Sequence, residues 1–338
     1  MDLNIIWFVL IGILLSGYAI LDGFDLGVGA LHLLVKGDIN RRIMINSIGP
    51  VWDGNEVWLV TGGGALFAAF PVVYATVFSG FYIAFMLLLV VLIFRAVAIE
   101  FRSKRENKLW RQSWDVSFSL SSILIAFLMG VALGNIITGI PLDSHGEYAG
   151  SFLDLINPYS VLVGITTVAL FMMHGSIYVV MKTEGELQEK IKGWINNCII
   201  FFVICYVTTT MATLIYIPHM VTHFKEYPVF FSIAILNMLA IANIPREINH
   251  KNYFRAFISS CATIASLLLI FAIGLFPNIV ISQPNPEYSL TIYNAASSQK
   301  TLWIMLIVAM IGVPFVLAYT LSIYWIFRGK VKIDHMSY

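Results

Sequence analysis

The chain has 338 residues, 59% of them hydrophobic and only 12% charged, about half of the roughly 25% usual in soluble domains. With a mean hydropathy of +0.84 it carries more apolar surface than a water-soluble fold of this length can bury, so a bilayer is its expected solvent. A net charge of +1 leaves no electrostatic footprint for nucleic acid.

Nine apolar runs are long enough to cross about 30 Å of hydrocarbon as helices. The first, Ile5–Leu34, follows a start with one acid and no base, so it is expected to be retained rather than cleaved as a leader. It carries Asp22 and Asp25 at i, i+3, on one helix face. The second, Val51–Phe70, opens with Asp53, Asn55 and Glu56, again with two acids at i, i+3. Only Pro71 separates it from the third, Val72–Phe101, which contains Arg95 and Glu100. Val116–Ile137 is the fourth, and an outer connector, Gly139–Pro158, leads to Tyr159–Met181 with His174 inside it. Trp194–Ile217, the short Tyr227–Asn243 and Tyr253–Phe276 follow. A second connector rich in Pro, Asn and Ser, Pro277–Lys300, precedes the last run, Leu302–Phe327. The chain is therefore expected to be one polytopic all-α membrane domain.

Lysine and arginine orient it. Seventeen of the 20 basic residues fall in alternate loops and the tail: Lys36 to Arg42, Arg102 to Arg111, Lys182 to Lys192, Arg246 to Arg255, and Arg328 to Lys332. Only Lys225 and Lys300 lie on the other side, with Arg95 inside a run. The positive-inside rule then places the amino terminus outside and the carboxyl terminus in the cytoplasm, an alternation that an odd number of crossings satisfies. On this orientation Asp22, Asp25, Asp53, Glu56 and Arg95 converge from three helices on the cytoplasmic half. Ionisable groups at membrane depth are costly and mark function by default. Arg95 could hold one acid in a structural ion pair, but one base cannot neutralise four. A hydrated proton or cation entrance is the stronger reading.

The remaining chemistry is sparse. Cys198, Cys205 and Cys261 sit in apolar runs and read as small hydrophobes. His219 and His223 have the i, i+4 spacing of a helical metal pair but lack a neighbouring acid or Cys. His32 and His174 lie within helices; His145, His250 and His335 are expected to be solvated. No Cys-x-x-Cys, haem-attachment or phosphate-loop motif occurs. No cofactor or metal is expected to be bound directly. A proton-coupled secondary transporter is the alternative from another class, since it too places carboxylates in the membrane.

Asp22-Gly-Phe-Asp-Leu-Gly-Val-Gly29 and Arg41-Arg-Ile-Met-Ile-Asn-Ser-Ile-Gly-Pro-Val-Trp-Asp-Gly-Asn-Glu-Val-Trp-Leu59 closely resemble subunit II of the cytochrome bd quinol oxidases. The resemblance continues through Gly63-Gly-Ala-Leu-Phe-Ala-Ala-Phe-Pro71, Phe78-Ser-Gly-Phe-Tyr82, Phe101-Arg-Ser-Lys104 and His174-Gly-Ser. It is dense over the first hundred residues and rests mainly on length and topology beyond them. It implies nine transmembrane helices as two four-helix bundles (about 5–137 and 159–276) plus one peripheral helix (about 302–327). It also implies a bacterial cell-membrane heterodimer with a haem-bearing subunit I that carries haems b558, b595 and d, oxidises quinol and reduces oxygen. Subunit II ligates no haem; it stabilises its partner and supplies a cytoplasmic proton route. The route's acid in the second helix corresponds to Asp53, with Asp25 and Arg95 accompanying it and Asp22 and Glu56 as weaker candidates. Family members with Gln at the position of Glu56 put a role for its charge in doubt. Some relatives hold a structural quinone in this subunit or add a small single-helix third subunit; no motif here decides either point.

The charge asymmetry makes a direct prediction. Reporter fusions at Ser103 and after Lys332 should read cytoplasmic, and those at Ser144 and Asn285 external. A tail that reads external would invert the placement of every acid.

Overall fold

The computed structural model describes residues 2–333. Twelve α-helices make up nearly all of it: α1 (Leu3–His32), α2 (Asp38–Ile48), α3 (Trp52–Ala69), α4 (Pro71–Gly80), α5 (Tyr82–Phe101), α6 (Lys108–Thr138), α7 (Pro158–Lys182), α8 (Gly185–Tyr216), α9 (Thr222–Glu226), α10 (Phe231–Asn249), α11 (Tyr253–Leu275) and α12 (Gln299–Ile326). Eight of them, α1, α5, α6, α7, α8, α10, α11 and α12, are long and apolar enough to cross a membrane. Helix α3 has 18 residues, a length of about 27 Å, but Asp53, Asn55, Glu56 and three consecutive glycines lower its hydropathy. It nevertheless runs antiparallel along α1. Asn55 meets Leu21, a Cβ on Gly17 would strike the Trp58 ring, and Gly62 faces Leu15.

Three local features differ from the expected runs. The third run is two helices, broken at Phe81: α4 starts on Pro71 and packs on the Gly139–Pro158 connector, where the Thr76 hydroxyl donates to the Gly146 carbonyl at 2.7 Å. Arg41 and Arg42 lie on a helix, α2, rather than in a loop. Within the last connector, Asn278–Val280 (β1) and Leu290–Thr291 (β2) pair antiparallel.

The helix array has a basic end, where α1, α5, α7 and α12 finish, and an opposite end that is closed by hydrogen bonds. There the Trp7 indole donates to the Leu302 carbonyl (2.9 Å) and Gln299 to Asn4 (2.8 Å). His219 and His223 each bond a carbonyl near a helix end, Ile137 at 2.8 Å and Phe276 at 2.5 Å. Their spacing therefore serves to cap α6 and α11, and an acid does stand beside the pair, contrary to the expectation: Glu226 lies 3.2 Å from His223 Nδ1. Helix α12 is the outlier: Leu302 is its one buried residue.

Helices α1 and α7 cross at backbone contact. A Cβ on Gly27 would collide with the Phe171 carbonyl oxygen, and one on Gly175 would lie 2.6 Å from the Gly27 carbonyl carbon. Small residues permit such an approach in membrane proteins, where packing rather than water drives association. A backbone carbonyl cannot swing aside, so Gly27→Val should cost about 3 kcal/mol, the upper end for overpacking. Membranes bearing Gly27→Val should yield much less monodisperse folded protein in detergent. Gly312→Val, at a glycine with open space around it, should match the parent. Equal yields for both would show that this crossing is not tight.

Candidate acid cluster

The cluster is assembled from three helices that would each be ordinary apolar spans without it. On α1, Asp22 and Asp25 share the inward face, and both are fully buried. Helix α3 brings Asn55 and Glu56 to that face, and α5 brings Arg95, itself fully buried. The guanidinium forks onto Asp22, with Nη2–Oδ1 at 2.5 Å and Nη1–Oδ2 at 3.0 Å. Nη1 also donates to Glu56 Oε1 at 2.9 Å. Asp25 stands 4.0 Å from Nη2 and takes its hydrogen bond elsewhere, from Asn55 Nδ2 at 2.8 Å. The other Asn55 N–H donates to the Leu21 carbonyl at 3.2 Å, and its oxygen accepts from the Tyr324 hydroxyl of α12 at 2.9 Å. Asp25 Oδ1 and Arg95 Nε have no hydrogen-bond partner among the described residues.

Four of the five candidates thus meet. Asp53 does not. It lies on the open side of α3 with Val57, Val60, Gly64 and Phe67, and it forms no hydrogen bond or ion pair among the described residues. Gly54 and Gly64 on that side have open space around them, so the face is flat as well as apolar.

Sequence reasoning missed a second buried knot. Asp115 of α6 accepts from His32 Nε2 (2.6 Å), Arg102 Nε (2.5 Å) and Arg41 Nη1 (2.9 Å). Arg102 and Arg111 share Asp38, both at 2.8 Å. His32 lies seven residues beyond Asp25 on α1, and Arg102 seven beyond Arg95, just past the end of α5, so this knot sits about two turns, ~10 Å, nearer the basic end. Asp115 was hidden by an expected helix start at Val116; the true start is Lys108.

His174 is held on both ring nitrogens, by the Ser260 hydroxyl (2.7 Å) and the Ile20 carbonyl (3.0 Å), and stacks on Phe257. Neither nitrogen is free for a haem iron. Among the described residues no group of three or more His, Cys, Asp or Glu is arranged for a metal ion.

A model of the cytochrome bd terminal oxidase subunit II family matches residues 3–327. The chain belongs to that family. It is 37% identical to cytochrome bd-I ubiquinol oxidase subunit 2 of Escherichia coli strain K12, over 97% of this chain and 95% of the relative. With cytochrome bd ubiquinol oxidase subunit 2 of Bacillus subtilis strain 168 it shares 36% identity over 98% and 97%. Its fold matches a chain in the structure of the bd oxidase from Geobacillus thermodenitrificans with a TM-score of 0.80, at 16% identity, over 97% and 98% of the two chains. As a subunit II it is part of an oxidoreductase complex of the respiratory chain and a multi-pass protein of a bacterial membrane.

The Arg95 fork ties α5 to α1 and α3 through buried charge, so removing one side strands the other. Arg95→Met should lower stability by about 3–5 kcal/mol, the range for breaking a buried pair. The readout is the thermal midpoint of the detergent-purified complex. Adding Asp22→Asn to Arg95→Met should restore part of the loss. An Arg95→Met protein as heat-stable as its parent would show that the fork does not hold these helices.

Proposed function

We propose that this subunit II serves a quinol oxidase in two ways: it buttresses a haem-bearing subunit I, and it conducts protons from the cytoplasm toward the site where oxygen is reduced. The observation that carries the second role is the sharing of one guanidinium by three carboxyls, two of them fully buried. In a low-dielectric interior such a set, three carboxylates against one guanidinium, is balanced only when it also holds protons. The unbonded Asp25 Oδ1 is a place for one.

The route follows α3. Asp53 is the inlet at its start, Glu56 stands one turn further, and Arg95 holds Asp22 and Asp25 behind it. The charge rule puts this start on the cytoplasmic side, with the amino terminus outside and the tail inside. We infer nine crossings, α3 joining the eight apolar helices. Helices α1, α3, α5 and α6 form the first four-helix bundle and α7, α8, α10 and α11 the second, with α12 peripheral. The open face of α3 is where a partner helix would pack, closing over Asp53 and making the inlet part of an interface. The oxygen chemistry belongs to haems b558, b595 and d of the partner. Protons taken from inside for water formation, with quinol releasing its own outside, build a gradient without a pump.

Asp53→Asn and Asp25→Asn keep shape and remove the titratable group. Each complex should retain its haem absorbance while quinol-driven oxygen consumption falls about tenfold, equivalent to about 1.4 kcal/mol on the limiting step. Normal turnover and proton uptake in both variants would place the proton path elsewhere.

A further inference from the structure

Asp25 depends on an amide whose NH2 end is set by the Leu21 carbonyl, which can only accept, and whose oxygen is satisfied from the far end of the chain. An asparagine side chain can present either its NH2 or its oxygen to a carboxyl group, and the choice decides which form of the acid it favours. The NH2 stabilises a carboxylate; the oxygen accepts from a protonated acid. Here Asn55 directs its NH2 at Asp25 and at the Leu21 carbonyl, and its oxygen is taken by the Tyr324 hydroxyl. That oxygen accepts no other hydrogen bond within the described residues.

Tyr324 is itself held by a clasp. Helix α12 is otherwise largely exposed, with Leu302 its one buried residue, so packing along its length cannot set the height of a residue near its end. One turn past Tyr324, the Lys182 ammonium donates to the Phe327 carbonyl. The Lys330 ammonium then caps the end of α7, donating to the Met181 and Thr183 carbonyls, both at 2.9 Å, and Val331 N donates to the Lys182 carbonyl at 2.9 Å. A lysine on the last carbonyls of a helix is favoured by the unpaired acceptors and by the helix dipole.

We propose that Tyr324 is a positioning residue for the proton route. Held by the Lys182–Lys330 clasp, it satisfies the Asn55 oxygen and anchors the amide that offers a donor to Asp25, and so sets the pH range over which Asp25 exchanges protons. The proposal rests on the proton-route reading above. The titratable groups around Asp25 are Asp22 and Tyr18 on α1, Glu56 on α3, Arg95 on α5, Tyr178 on α7 and Tyr324 on α12, with Cys261 of α11 beside Tyr324. Asp115, the acid of α6, is engaged in the second knot. Tyr324→Phe removes one hydroxyl and leaves all of these in place.

The test uses the intact oxidase complex, with oxygen consumption measured across pH for Tyr324→Phe, Lys330→Met, Asp25→Asn and the Tyr324→Phe/Asp25→Asn double variant. Tyr324→Phe should keep the haem spectrum and lower turnover at neutral pH about threefold. It should move the acidic limb of the pH profile upward by about half a unit or more, since the carboxylate loses an oriented donor. Lys330→Met should shift the profile the same way by less. The double variant should be no slower than Asp25→Asn alone, because the two residues act through one group. A Tyr324→Phe profile that is merely lower without moving, or a double variant whose losses multiply, would reduce Tyr324 to a packing residue. If Asp25→Asn turns over normally, the proton-route reading falls and takes this inference with it. If Asp25→Asn is slow while Tyr324→Phe matches the parent, this inference alone falls.

Discussion

The low dielectric of the helix interior gives the arrangement its logic. A guanidinium cannot be left bare there, and neither can a carboxylate. Placing Arg95 on α5 therefore obliges α1 and α3 to bring acids to it, and the acids they bring outnumber what one guanidinium can balance. The fork onto Asp22 satisfies the structural demand with two hydrogen bonds. Asp25 stands beside the pair without bonding to it and takes its hydrogen bond from Asn55. The division between a locked acid and a free one arises from about 4 Å of separation rather than from different chemistry.

The second knot repeats the theme with the opposite balance. Asp115 is surrounded by His32, Arg41 and Arg102, whose donors fill both of its oxygens, so it is suited to fastening α1, α2, α5 and α6 together. Two buried ionic layers on the same two helices, about two turns apart, thus have separate tasks. The outermost layer fastens, and the deeper one gathers more acids than its one guanidinium pairs.

Much of this was legible in the chain. The membrane class, the crossings at α1, α5 to α8 and α10 to α12, and the meeting of Asp22, Asp25, Glu56 and Arg95 follow from hydropathy, loop charge and i, i+3 spacing. What was not legible depended on rotation and depth. Asp53 and Glu56 share a face by spacing, yet a three-residue step still turns a helix by about 60° from alignment, enough to leave one acid at the surface and the other against Arg95. Tyr324 near the end of an apolar helix looks like an interface aromatic, and nothing local distinguishes it. The break at Phe81 was invisible because α4 and α5 are equally apolar. Asn55 was visible as a polar residue, but its role comes from the three groups that surround it.

The contact between Tyr324 and Asn55 spans 269 positions of the chain, joining the last helix to one of the first. Membrane helices are made and inserted in order, so α1, α3 and α5 can gather Arg95 and its acids while most of the chain is still to be synthesised. Asn55 acquires its final partner only when α12 has been released and its tail has reached the end of α7. The hydrogen bonding around the acid cluster is therefore finished late, although its charged members are made early.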